Sequence, residues 1–370
     1  MPKLKKRPRV QDRPGLTDAL KFIHGKMESA FETQGEIEGL STGCLAADMV
    51  CGNGGFPRGR ITEVSGFESS AKTTLALTAF AECQRRGLYP VYIDAERGVD
   101  RTYAERIGCV FDNERKGLFL QTDTAEDAII VIDRMVKSGD VDLIVCDSIS
   151  ALIPQDQLAG NIEDSMMMAA RARFLSEKLP LLVKAIVDHN VSLVFVNQFR
   201  SKISTGWLPP SQRSAKQEET MGGLAIRFYA SVRLEMKQLT RGFTAIERVD
   251  PISQKPAKVP TSSLHQVHAF KNKVAPTGRT TQFVVCYDPG ANMWGIDNIA
   301  TYLGFAVQHG VIEKAGAYFM WAGDGNGTPA VKGQGLEQFR AALMAAPESI
   351  PVLIEQVMAV PDVAILFQKG

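Results

Sequence analysis

No apolar run in the 370-residue chain approaches the ~20 residues that a membrane-spanning helix needs. The basic start, with Lys3, Lys5, Lys6, Arg7 and Arg9, is not followed by the apolar core of a secretion signal. Both absences lead us to expect a cytoplasmic protein with no membrane partner. Cysteine is sparse as well. Cys44, Cys51, Cys83, Cys109, Cys146 and Cys286 form no C-x-x-C pair, which argues for buried thiols in a reducing compartment and against a zinc site or disulfide framework. An excess of one charge sign is also missing: 42 Lys and Arg against 41 Asp and Glu leave a net +1. There is therefore no global pull toward nucleic acid, and any such binding must come from local patches.

What is present reads as globular. Hydrophobic residues make up 45% and charged residues 22%, close to the values of soluble domains. The length allows two or three folded units at roughly 100 to 200 residues each. Two basic patches stand out. Residues 1–14 carry six Lys and Arg against one Asp, and residues 199–217 carry Arg200, Lys202, Arg213 and Lys216 with no acid. After the basic tail, Leu16, Ala19, Leu20, Ile23, Met27, Ala30 and Phe31 fall on one helical face. A lone amphipathic helix of that size packs either on its own core or on a neighbouring subunit.

From about residue 60, short apolar runs at 60–65, 90–94, 142–147 and 191–197 alternate with helical stretches near 72–86, 124–138 and 165–189. Runs such as Leu143-Ile144-Val145-Cys146 are apolar on both faces, as strands of a covered parallel sheet must be. This predicts an α/β core. Residues 225–287 read as a β extension interrupted by one long Pro/Ser/Lys-rich loop at 250–263, and a small, mainly helical C-terminal domain is expected beyond Asp288-Pro289-Gly290.

The stretch Gly66-Phe67-Glu68-Ser69-Ser70-Ala71-Lys72-Thr73 follows a strand and opens a helix. Exposed backbone N–H groups and the helix N-terminus then face an anion, which is the arrangement of a phosphate-binding loop. A chance match has odds on the order of 10⁻⁴ per site. Lys72 suits the β- and γ-phosphates of ATP and Thr73 a Mg²⁺ ion. Ala71 stands where glycine is usual. Its methyl group costs roughly 1 to 2 kcal/mol if the backbone there needs a positive φ, and almost nothing otherwise. Asp147, at the end of an apolar strand, is the candidate for a second magnesium-orienting group, and Glu96 for positioning the attacking water.

Residues 37–60 (with Leu40-Ser41-Thr42-Gly43 and Gly54-Gly55-Phe56-Pro57), Glu68-Ser69-Ser70, Ile93-Asp94-Ala95-Glu96, Asn197-Gln198-Phe199-Arg200, the run 228–234 and Lys271-Asn272-Lys273 resemble the bacterial RecA recombinase family. The likeness runs from about 37 to 320, and several of these motifs are not shared by phosphate-loop ATPases at large. It implies a RecA-type core at 41–288, mostly parallel in its sheet. Residues 1–40 would be a tail and polymerisation helix, and 289–370 a small α+β domain. The implied activity is a DNA-dependent ATPase that forms a helical filament on single-stranded DNA and exchanges strands with homologous duplex. Single-strand-binding and mediator proteins are further implied partners.

Carried over by position, Gly66, Glu68, Ser69, Ser70, Ala71, Lys72, Thr73 and Thr74 would cradle the nucleotide. Asp100 and Tyr103 would contact adenine, and Gln198 would sense the γ-phosphate. Lys271 and Lys273 would reach the nucleotide of the adjacent subunit, with Phe228 in the interface. One DNA loop resembles 157–168, with Met167 as an apolar wedge and Arg171 on a phosphate. The other spans 199–221. There Arg200 and Lys202 would hold phosphates, Ile203 would wedge between bases and Trp207 would stack on one, with Arg213, Gly222 and Gly223 completing the set. The Gly, Pro and Ser content of that segment predicts a mobile loop. The altered loop lengths, the insertion between Leu239 and Leu264 and the non-acidic end suit a diverged or virus-encoded member. The competing readings are a ring-forming DNA motor on the same core and a non-hydrolysing ATP-binding accessory protein.

Overall fold

A computed structural model describes residues 36–112, 116–152, 164–201, 218–220, 223–239, 245–249, 256–288, 293–325, 328, 330–361 and 363–364. The chain divides into two compact units, residues 1–37 and 38–370, and every element named here lies in the second. Strand β1 (Gly39–Leu40), helix α1 (Leu45–Cys51) and β2 (Phe56–Pro57) come first. Alternation follows: β3 (Ile61–Gly66), α2 (Lys72–Arg85), β4 (Pro90–Asp94), α3 (Arg101–Ile107), β5 (Leu118–Gln121), α4 (Ala125–Ser138), β6 (Leu143–Asp147), α5 (Asp164–Asp188) and β7 (Ser192–Ser201). Then come β8 (Glu218–Thr220), α6 (Gly223–Tyr229), β9 (Val232–Gln238), a hairpin of β10 (Ala245–Val249) and β11 (Pro256–Pro260), β12 (Ser262–Asn272), β13 (Thr280–Asp288) and β14 (Met293–Asp297). The chain closes with α7 (Asn298–Gln308), a small sheet of β15 (Glu313–Ala315), β16 (Tyr318–Trp321) and β17 (Val331–Gln334), then α8 (Gly335–Met344) and α9 (Ser349–Ala359).

The central sheet runs β14-β13-β12-β9-β3-β7-β6-β4-β5, with β8 on the end of β7. From β9 to β5 every pairing is parallel, whereas β12, β13 and β14 are antiparallel. The parallel strands are apolar on both faces because each face is covered. One side packs Leu75, Phe80 and Cys83 of α2 against Tyr92, Val145 and Val196. The other packs Ile129 and Ile132 of α4 and Leu179 and Leu182 of α5 against Ile93, Ile144 and Phe195. Local sequence fixes the helix ends. Thr124 caps α4 by accepting from the Asp127 N–H at 3.0 Å, and Gly139, at φ 81°, ends it in the left-handed region. All six cysteines are free and buried. Among the described residues, no helix is long and apolar enough to cross a membrane.

Strand β14 pairs with β13, Val284 facing Asp297, which makes β14 the edge strand of the central sheet. The C-terminal elements share an apolar core with Leu45 and Met49 of α1. One expectation needs correction. The expected loop at 250–263 contains β11 and the start of β12. Pro256 and Pro260 sit at the ends of β11, a strand of a two-stranded hairpin, where a missing N–H is tolerated.

Candidate nucleotide-binding site

The parallel register brings the predicted residues to one end of the sheet. Gly66 on β3 faces Gln198 on β7, and Asp94 on β4 faces Asp147 on β6. In open α/β sheets, ligands bind beyond the carboxyl ends of the strands, which is where these residues lie. A side chain at Gly66 would put its Cβ 2.3 Å from the Met236 carbonyl oxygen and 2.5 Å from Ser70 Oγ, so only glycine fits there. At Ala71 φ is 69° and ψ 24°, so this residue takes the left-handed conformation that carries the methyl cost. Ser69 shares that region at φ 59°. The loop keeps a glycine-like backbone without the glycine.

Lys72 opens α2 and donates from Nζ to the Phe67 carbonyl at 2.7 Å. Burial pushes its ammonium below the usual lysine value, while the charges of Asp147, Glu96 and Glu68 oppose that shift. Thr73 Oγ1 donates to Asp147 Oδ2 at 2.7 Å, as does the hydroxyl of Tyr92 at the same distance. Burial raises the Asp147 carboxyl to about 6, against the lowering effect of those two hydrogen bonds. Glu96 lies just past β4, where Oε1 accepts from Gln198 Nε2 at 2.9 Å and from the Ser148 hydroxyl. Ser148 in turn contacts Ser150. The expected water-positioning group and the expected phosphate sensor are therefore in direct contact.

Thr74 Oγ1 and the Tyr103 hydroxyl are 3.0 Å apart. The Tyr103 ring meets Trp294 edge-on at 6.5 Å, and Arg106 covers Trp294 at 4.1 Å. This gives an aromatic wall beside the loop. Asp100 Oδ1 accepts from the Tyr103 N–H at 2.6 Å, which caps α3 and sets the tyrosine's position. Glu68 is exposed.

On the antiparallel side, Lys271 of β12 donates to the carbonyl oxygens of Arg227 and, at 3.2 Å, Phe228 at the end of α6. Lys273 is exposed, and Phe228 is 68% exposed. The expected DNA-contacting residues Lys202, Ile203, Trp207, Arg213 and Gly222 lie outside the described residues, as do residues 157–163 of the first expected DNA loop. Met167 and Arg171 fall on α5, Arg200 on β7 and Gly223 at the start of α6, with their side chains outside the description. Tyr92, Ser148, Ser150 and Trp294 join these contacts without a signal in the sequence that singles them out. A tyrosine within an apolar strand reads as core, and the two serines only gain meaning beside Glu96.

Fold and site define a phosphate-loop nucleotide-binding protein with a parallel core and an antiparallel flank. The RecA N-terminal domain matches residues 21–292. The chain is 34% identical over 363 residues to Protein RecA of Thermus thermophilus, covering 96% of both chains. It is 35% identical over 322 residues to Protein RecA of Leifsonia xyli subsp. xyli, covering 87% of this chain and 81% of the relative. A crystal structure of the RadB recombinase aligns with a TM-score of 0.46 at 20% identity, covering 66% of this chain and 94% of that one. On the sequence matches, the chain belongs to the RecA family of ATP-binding proteins of recombination and repair.

Proposed function

We propose that the protein is an ATP-dependent recombinase that assembles as a filament on single-stranded DNA, hydrolyses ATP when DNA is bound and exchanges strands with a homologous duplex. The observation that carries this reading is the hydrogen bond between Gln198 and Glu96 at 2.9 Å. Lys72 and the loop N–H groups bind and orient the triphosphate. Glu96 aligns the attacking water as base, and Gln198 releases or holds it according to the γ-phosphate. Thr73 and Asp147 supply a hydroxyl and a carboxylate at hydrogen-bond distance, hard oxygen donors of the kind that hold Mg²⁺ together with substrate phosphates. Among the described residues no cluster of three or more His, Cys, Asp or Glu competes for the ion. Bound there, the ion would neutralise developing charge on the phosphates.

Coupling to DNA follows from chain continuity. Gln198 sits on β7, which leads through Arg200 into the basic segment. Phe67 of the phosphate loop also meets Phe199 edge-on at 5.6 Å, so the loop touches the strand from which that segment departs. A change at the phosphates is thus transmitted to groups suited to phosphodiesters. Lys271, Lys273 and the exposed Phe228 are assigned to the contact between protomers, where the lysines reach the neighbour's nucleotide. Electron microscopy with single-stranded DNA and a slowly hydrolysed ATP analogue tests the reading. Helical filaments support it; closed rings favour a DNA motor. ATP turnover that stays near zero with and without DNA favours the accessory protein.

A further inference from the structure

Tyr92 lies within β4, its ring stacked on Phe119 of β5 at 4.9 Å and 7° and meeting Phe80 of α2 edge-on at 6.1 Å. The residue is fully buried. A tyrosine in such a place is ordinary packing except for its hydroxyl, which is costly to bury without a partner. Here the hydroxyl donates to Asp147 Oδ2 at 2.7 Å. The same oxygen accepts from Thr73 Oγ1. Two donors thus meet on one carboxylate oxygen, one from the first turn of α2 and one from the adjoining strand, and neither bond occupies Oδ1. Two aromatic neighbours hold the ring, which places the hydroxyl beside the carboxylate. Asp147 is 4% exposed, so water has little access to replace a lost donor.

We propose that Tyr92 is a positioning residue for magnesium-dependent nucleotide binding, its hydroxyl locking the Asp147 carboxylate in the orientation that the ion requires. The proposal rests on the reading of Thr73 and Asp147 as the magnesium-holding pair. Groups that orient a metal-binding carboxylate are worth on the order of tenfold or more in metal affinity. Phe119 acts one step further out, by holding the ring.

The test measures ADP binding by titration calorimetry, in EDTA and across a magnesium series, for wild type, Tyr92→Phe and Phe119→Leu. Tyr92→Phe keeps the ring and removes the hydroxyl. The magnesium concentration giving half of the metal-dependent gain in ADP affinity should rise on the order of tenfold, while affinity in EDTA stays the same. Phe119→Leu, which keeps the hydroxyl but loosens the ring, should move the half-point in the same direction by roughly two- to threefold, a smaller step because it acts through Tyr92. It carries the test if Tyr92→Phe does not fold. A half-point unchanged in the folded variant overturns the proposal, and so does an equal loss of affinity with and without magnesium, which would make Tyr92 a packing residue only. A wild type whose ADP affinity ignores magnesium instead removes the site reading, and this proposal with it.

Discussion

The two halves of the central sheet solve different problems. At the ends of the parallel strands, polar side chains pair within the same chain: Lys72 with the Phe67 carbonyl, Thr73 and Tyr92 with Asp147, and Gln198 and Ser148 with Glu96. On the antiparallel flank, Phe228 and Lys273 are exposed, and Lys271 donates to the end of α6. Under the proposed function the exposed flank meets another protomer, so that the two halves divide nucleotide binding and assembly between them.

The contrast breaks most sharply at Lys72. Lys72→Ala removes the charge aimed at the phosphates, and ATP turnover should fall by about 10²- to 10³-fold with the melting transition little changed. Steady-state turnover beside a thermal melt checks both parts. If turnover survives, the parallel end is not the catalytic pocket.

Asp48 of α1 probes the anchoring of the flank. It accepts from Ser41 Oγ at 2.6 Å and from the Thr42 N–H and hydroxyl at 2.8 and 2.7 Å. Burial nevertheless raises its carboxyl to about 7. The folded state therefore holds this proton more tightly than the unfolded chain does. The linked stability is full below pH ~4 and is lost as pH rises through ~7, by at most about 4 kcal/mol. Asp48→Asn should remove that slope. Urea unfolding of both proteins at several pH values measures it, and parallel curves would show that Asp48 is ionised throughout.

Phe228→Ala sharpens the flank side. The side chain is exposed, so stability should change by less than ~0.5 kcal/mol. Self-association should weaken by about 2 kcal/mol, roughly 30-fold in the protein concentration at half-maximal DNA-stimulated turnover. Sedimentation and turnover against concentration test this, and an unchanged midpoint would place the interface elsewhere. The smallest effect is expected at Ala71→Gly. Relief of the positive φ is worth about 1 kcal/mol and is partly offset by the added freedom of glycine in the unfolded chain. A clear loss of stability would contradict the left-handed backbone at this position.

The sequence made the parallel end legible because its signals are local. A glycine-containing loop between a strand and a helix, and acids at the ends of apolar runs, announce their chemistry within a few residues. Gln198 and the flank residues became readable only through the family resemblance. What stayed hidden depends on contacts between distant segments. The positive φ of Ala71 goes against the residue's own preference, so its type does not announce it. Tyr92 looks like core until Asp147 appears above it. The sheet membership of β14 depends on its pairing with β13, which no local pattern reveals. Pro256 and Pro260 argued for a loop because proline opposes pairing inside a sheet, yet both are tolerated at the ends of a hairpin strand.

The central claim is that the state of the nucleotide pocket sets the hold on DNA. Fluorescence anisotropy of a labelled single strand, titrated with protein without nucleotide, with ADP and magnesium, and with a slowly hydrolysed ATP analogue and magnesium, tests it directly. The account predicts affinity at least about tenfold higher with the ATP analogue than with ADP, a coupling of ordinary size for two linked sites. Equal affinity in all three conditions would contradict it.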